Sequence, residues 1–376
     1  MKITNIEVIE LRVPGRRKLD LDPTNNGCLV QVSTDAGITG TSEVDSLPSV
    51  IKAIVEAPPR INTLMGLKSI LLGEDPTDIC QLWHKMYHQT SYCGRRGVVM
   101  HAISGVDIAL WDILGKLEGK PVHQLLGSVQ RKKLPAYTTI YPLGCTTDEV
   151  RRSIDIGLAY PVKALKIAID PFWREQTDLA IELLQAARKH VGPDMQLMLD
   201  ATASFSHYEE LEPLLPALRD CNVHWLEAPF PLDAIHQHRR LSNCGIAIGA
   251  GDTGLTAPAE WESMFDEGKI QIAQPDISWV GGFTGLQKIA EMATERDCRL
   301  VPHGWNTDLT LASNLHFLAQ HETEEWAEFS TSSSLLRWEL TEENLQIDPQ
   351  GMLSVPETPG LGINLNQKTI ERYRVS

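Results

Sequence analysis

From residue 134 onward, a short apolar segment rich in β-forming residues recurs at intervals of roughly 25 residues, each followed by a longer stretch of helical periodicity. The segments are LPAYTTI (134–140), KALKIAI (163–169), MQLMLD (195–200), VHWLEA (223–228), GIAIGAGD (245–252), IQIAQPD (270–276), CRLVPH (298–303) and EWAEF (325–329). Eight strands alternating with helices over some 200 residues match the count and length of a (β/α)8 barrel. An open doubly wound sheet carries fewer strands and a glycine-rich phosphate turn after the first. No G-x-G-x-x-G follows LPAYTTI.

The chain before this repeat has a different rhythm. ITNIEVIELRV and CLVQVSTDAGITGTSEV contain alternating runs, with a DAG turn inside the second, as in an antiparallel hairpin or meander. From about residue 48 to 126 the pattern is helical, ending in GVDIALWDILGKLEGKPVHQLLG, where Gly-Lys-Pro breaks the helix. The Pro- and Gly-rich GMLSVPETPGLGINLN near the C-terminus is expected to return to the small N-terminal sheet. The predicted fold is α/β. A TIM-type (β/α)8 barrel over 129–350 carries an α+β capping domain over 1–128, completed by the segment 351–376.

Composition narrows the partners. With 49 acidic against 34 basic residues and a formal charge of −15, the chain lacks the basic surface that phosphates demand, so no nucleic-acid partner is expected. No apolar run approaches the length of a membrane span, and MKITNIEVIELRV alternates like a strand rather than a signal peptide, so no membrane partner and a cytoplasmic location are expected. The seven cysteines are scattered without a C-x-x-C pair, which reads as reduced, small apolar residues.

In a barrel of this kind the active site lies at the C-terminal mouth of the strands. Lys166 ends up on strand two with Asp170, Asp200 on three, Glu227 on four, Asp252 on five, Asp276 on six, His303 on seven and Glu328 on eight. One such carboxylate alone reads as a helix cap or turn residue. Three on adjacent strands would stand together with unpaired charge, which is costly unless a cation neutralises them. Hard oxygen ligands suit Mg2+, and with no His or Cys among the three, zinc is disfavoured. Asp276 and His303 on neighbouring strands can pair, the carboxylate fixing one imidazole nitrogen and leaving the other as a base.

The barrel with its α+β cap, together with LMLDATASF, WLEAPF, IGAGD, QPDISWVGG, VPHGWN and WAEFS, resembles the enolase superfamily, in particular its mandelate racemase subgroup. The resemblance implies a Mg2+ ion held by Asp200, Glu227 and Asp252 that binds a substrate carboxylate and stabilises the enediolate formed when the α-proton leaves. It implies that His303 is the base or acid, oriented by Asp276, and that Glu328 hydrogen-bonds a substrate oxygen. It further implies that the loop LDPTNNG (21–27), with Asn26, closes over the mouth, although from the residues alone this loop is a turn. Trp305 could pack on the substrate's carbon chain or in the core. A symmetric homo-oligomer is also implied.

Three departures shape the expected reaction. Where the subgroup carries Lys-x-Lys on strand two, this chain has Lys166, Ile167 and Ala168, so a second base is missing. Lys166 aligns with the lysine that contacts the substrate carboxylate. Asp252 replaces the more usual Glu, and Thr202 replaces an Asn. Trp279 stands where another subgroup keeps a catalytic lysine, which argues against cycloisomerisation of the muconate type and dipeptide epimerisation. The expected activity is a Mg2+-dependent dehydratase of a polyhydroxy carboxylate, a small-molecule sugar acid. The alternatives are a cycloisomerase of a sugar lactone or anhydro-sugar acid, and a catalytically silent homologue.

Overall fold

The structure, a computed structural model, describes residues 1–14, 22–141, 145–169, 172–321 and 326–375. Asp170 lies outside the described residues. The cap begins with an antiparallel sheet in the order β1-β2-β3, formed by Ile3–Glu10, Cys28–Thr34 and Thr39–Glu43. The β2–β3 turn is closed by Gly37, whose φ of 76° is the left-handed conformation that glycine adopts without strain. One face of the sheet buries Val8, Val30 and Val32 against Ile103, Val106 and Leu110 of the helix Val98–Glu118. Close approach is possible because position 40 is Gly, where a Cβ would stand 1.9 Å from the Ala109 carbonyl oxygen. This helix corrects the expectation that no segment reaches the length of a membrane span. The helix has 21 residues, and an 18-residue stretch of it has a mean hydropathy of 1.5, apolar enough to span a membrane, but 78% of that stretch is buried inside the protein.

The barrel follows. Its strands are β4 (Lys133–Ile140), β5 (Ala164–Ala168), β6 (Gln196–Asp200), β7 (Val223–Glu227), β8 (Ala247–Ala250), β9 (Ile272–Ala273), β10 (Arg299–Leu300) and β11 (Ala327–Ser330). They are parallel, and the last pairs with the first, giving the order β10-β9-β8-β7-β6-β5-β4-β11 and curling the sheet round on itself. β9 and β10 are two residues each, shorter than the apolar runs suggested. Pro275 and Pro302 explain this: without N–H groups they interrupt the ladder, which resumes as a single bridge between Asp276 and His303.

The C-terminal segment touches both parts. β12 (Met352–Ser354) pairs antiparallel with β4, and near the chain end Arg12 N donates to the Tyr373 carbonyl while Val375 N donates to that of Glu10. The cap is locked to the barrel mouth by Glu43, a buried carboxylate that accepts from Thr307 N, Thr307 Oγ1 and Thr310 Oγ1 at 3.0, 2.7 and 3.0 Å. All seven cysteines are free thiols.

Candidate active site

Strand periodicity builds the site. Tyr137, Ala164, Met198, Trp225, Ala247, Ile272, Val301 and Trp326, one from each barrel strand or its edge, pack together as an apolar floor. Two residues further along, on the same face, stand Thr139, Lys166, Asp200, Glu227, Gly249, Gln274, His303 and Glu328. A polar layer therefore lies directly on the floor at the mouth end. The glycine in it is required by its neighbour, because a Cβ on Gly249 would fall 2.0 Å from Gln274 Oε1. The space lets Gln274 Nε2 donate to Glu227 Oε2.

Asp200, Glu227 and Asp252 come together as expected from the sequence. Each offers one carboxylate oxygen, these oxygens lie within 4.8 Å of one another, and all three residues are buried. The shorter Asp252 still reaches the cluster. Burial, then the charge of Glu227, pushes Asp200 up to about 7, against the pull of Lys166. Burial, then the charges of Glu227 and Asp200, drives Asp252 well above the usual carboxylate range. Asp252 Oδ1 is buried with no hydrogen-bond partner. An orphaned oxygen beside two further carboxylates, with no nitrogen or sulfur donor in the set, fits a hard divalent cation such as Mg2+. Thr202, where Asn was noted as usual, holds φ at 46° just after Asp200, and its N–H donates to Asp200 Oδ1 at 2.8 Å. Asn tolerates that left-handed backbone better than a β-branched residue does.

Lys166 occupies the centre of the layer. Its Nζ lies 2.5 Å from Glu227 Oε1 and 3.0 Å from Glu328 Oε1, with only 1% of its side chain exposed. Burial alone would lower its pKa, but the charges of Glu227 and Glu328 outweigh burial and raise it well above the ordinary value. Burial works against the Glu328 carboxylate too. There the charges of Lys166 and His303 and the Thr139 hydroxyl prevail and hold it down at about 2. Glu328 also accepts from Thr139 Oγ1 at 2.5 Å and from Gly304 N at 3.0 Å. So held, it is an ionised acceptor.

His303 Nδ1 lies 2.8 Å from Asp276 Oδ2, while Asp276 Oδ1 accepts from Ser278 N and Ser278 Oγ at 2.7 and 2.6 Å. This hydrogen bond assigns a proton to Nδ1 and leaves Nε2 for proton transfer. Burial lowers the imidazole's pKa, but the bond to Asp276 and the charge of Glu328 override it and push His303 up to about 10. In the metal-free protein the pair therefore stabilises the fold fully below the ordinary histidine value of 6.5, and that contribution is lost as pH rises through about 10. Melting temperatures of EDTA-treated protein should fall more for the wild type than for His303→Asn across this window. Parallel curves would contradict the assignment.

The structure places the remaining expected residues less simply. Trp305 is buried, its Nε1 donates to Asp22 Oδ1 at 3.1 Å, and its ring meets Tyr141 edge-on at 5.1 Å. Asn26 is exposed and accepts from Arg12 Nε at 3.3 Å. The loop instead touches the barrel mouth through Asp22, which caps the short helix Pro23–Asn25 and also accepts from Ser332 Oγ. Sequence reasoning passed over Gln274, although it sits two residues before Asp276 on the same face. It also passed over Tyr141, two residues beyond Thr139, whose phenol is pushed up by burial and then by the charge of Asp200 and so stays protonated. Asp45 of the cap carried no sequence signal; burial, then the charge of Asp276, pushes it up to about 7.

Comparison with known proteins agrees with this geometry. Residues 147–369 match the family described as "Enolase C-terminal domain-like", and residues 12–127 match "Mandelate racemase / muconate lactonizing enzyme, N-terminal domain". The chain is 30% identical over 362 residues to the D-galactarolactone cycloisomerase of Agrobacterium fabrum, covering 92% of this chain and 91% of that one. It is 33% identical over 313 residues to the arabinonate dehydratase of Saccharolobus solfataricus, covering 82% and 81%. Among solved structures, the 3,6-anhydro-D-galactonate cycloisomerase of Zobellia galactanivorans superposes with a TM-score of 0.88 at 30% identity, covering 100% of both chains. Barrel, cap and buried carboxylate cluster together define a fold whose relatives, matched over most of this chain, are enzymes. The chain belongs to the enolase superfamily, in its mandelate racemase subgroup.

Proposed function

We propose that the protein is a Mg2+-dependent dehydratase of sugar acids. One arrangement carries the reading: the His303–Asp276 pair shares the mouth with the Asp200, Glu227 and Asp252 cluster, while Ala168 stands where a second base on strand two would be. A magnesium ion bound by that cluster would supply positive charge to a substrate carboxylate and so acidify the adjacent carbon. Everything else falls to side chains. Lys166, fixed between Glu227 and Glu328, is the cation nearest to hand for a substrate carboxylate oxygen. Glu328, held ionised, fixes Lys166 and the Gly304 backbone, and can donate to a substrate oxygen only after taking a proton.

His303 Nε2 takes the proton from C2. The imidazolium, stabilised by Asp276, then returns that proton to the C3 hydroxyl, which departs as water as the C2–C3 double bond forms. The resulting enol rearranges to a 2-keto-3-deoxy acid. One base suffices for this sequence, whereas racemisation needs a second on the opposite face. A cation held by the carboxylate cluster would oppose the charge of Glu328 and so favour the neutral imidazole that the base role needs.

A second reading, supported by the two cycloisomerases matched over nearly the full chain, is ring opening of a sugar lactone or anhydro-sugar acid through the same C2 proton. Product mass separates the two, because only the dehydratase releases water. The test is a panel of aldonic and aldaric acids and their lactones, incubated with purified protein and Mg2+ and read by mass spectrometry, with hits repeated in EDTA. A metal-dependent loss of water supports the dehydratase; an isomeric product supports the cycloisomerase; silence across the panel counts against both.

A further inference from the structure

The His303–Asp276 pair is held by more than its own hydrogen bond. Trp279, three residues after Asp276, places its indole 5.7 Å from the His303 imidazole, centroid to centroid, with the planes 31° apart. Trp279 Nε1 donates to the backbone carbonyl of Asp45 in the cap. Asp45 N donates in turn to Ser278 Oγ at 3.1 Å, and that hydroxyl donates to Asp276 Oδ1 at 2.6 Å. The contacts close a ring from His303 through Asp276, Ser278, Asp45 and Trp279 back to His303. It bridges residues 234 positions apart in the chain, so it exists only when cap and barrel are docked.

A further ring braces the indole. His101, on the cap helix Val98–Glu118, stacks on Trp279 at 5.4 Å with an interplanar angle of 15°, and its Nδ1 lies 3.1 Å from Ser46 Oγ. Burial lowers His101 to about 4, so it stays neutral and adds no charge beside the pair. None of these cap contacts is needed merely to satisfy the dyad, since Asp276 already accepts from His303 and from the Ser278 N–H.

We propose that Trp279 is a positioning residue, which fixes the plane of the His303 imidazole so that Nδ1–H stays on Asp276 and Nε2 stays available for proton transfer. Docking of the cap thereby sets the geometry of the barrel's acid–base pair. The catalytic consequence rests on the reaction proposed above, but the positioning does not, and it can be read without any substrate.

The observable is solvent exchange of the His303 Nδ1–H proton, followed by NMR in metal-free protein labelled with 15N-histidine and assigned by its loss in His303→Asn. A protected proton is expected in the wild type. Trp279→Leu should speed its exchange by at least roughly tenfold, because the imidazole then opens away from Asp276 locally, and Trp279→Phe, which keeps an aromatic face, should recover part of the protection. The control is Trp111→Leu. Trp111 also spans cap and barrel, its Nε1 lying 3.4 Å from Thr284 Oγ1, but it does not touch the pair. It should leave the exchange unchanged.

An unprotected proton in the wild type, wild-type exchange in Trp279→Leu, or an equal acceleration in Trp111→Leu would overturn the proposal. If Trp279→Leu does not fold, Trp279→Met, which fills the space without an aromatic face, carries the same expectation and the same contradiction. Should Trp279 prove to position the pair while no sugar acid is turned over, the proposed reaction fails and the positioning stands.

Discussion

Replacing His303 with Asn should lower kcat on a sugar acid by a factor of about 10^2 to 10^4, the range for loss of a positioned acid–base group. Asn can still donate an N–H to Asp276, so the fold and the carboxylate cluster should persist. Mg2+ binding, measured by calorimetry, should be close to that of the wild type. The size of the effect follows from the double duty proposed for one imidazole, removal of the C2 proton and delivery of a proton to the leaving hydroxyl. Turnover that survives the substitution would mean that another group performs both transfers.

Lys166→Met should be as damaging to the fold as to the reaction. Lys166 is the cation between Glu227 and Glu328, at 2.5 and 3.0 Å, in a place with almost no solvent. Removing one partner of a buried ion pair typically costs about 3–5 kcal/mol, because the remaining charges are left unsatisfied. Urea unfolding of the metal-free protein should register a loss of that order. The sign of its pH dependence is fixed by Glu328. In the wild type the carboxyl is held at about 2, chiefly by Lys166 acting against burial. Without the lysine, burial raises it, so the variant should regain part of its deficit as pH falls and Glu328 takes a proton. A deficit that does not depend on pH would show that Glu328 is held ionised by something other than Lys166.

Much of this site is legible in the sequence because a barrel strand exposes alternate residues to its interior. Once MQLMLD and VHWLEA are read as strands, Asp200 and Glu227 follow at their ends, each two positions beyond a floor residue, Met198 and Trp225. The same step reaches His303 from Val301 and Glu328 from Trp326. Applied to every strand, it would also have found Thr139 and Gln274.

The parts that escaped depend on contacts the sequence does not order. The residues of the loop before β2 show only a turn, and the family resemblance points to Asn26, but that residue, just past the short helix Pro23–Asn25, is exposed. The helix N-cap, Asp22, accepts from Trp305 and Ser332, and the Thr24 carbonyl accepts from Ser334 Oγ. The run IQIAQPD predicts a longer strand six than forms, because the ladder stops where Pro275 has no N–H to offer. Trp279 was notable in the sequence only for what it replaces. Its partner Asp45 lies in the cap, and no periodicity links the two.

Proton abstraction at C2 by His303 is tested most directly by proton NMR of a sugar acid incubated with the protein and Mg2+ in D2O, following the signal at C2. At least one aldonic or aldaric acid should lose its C2 proton signal with the wild type but not with His303→Asn. Loss of that signal at equal rates in both proteins, or persistence of every C2 proton with the metal-loaded wild type, would contradict it.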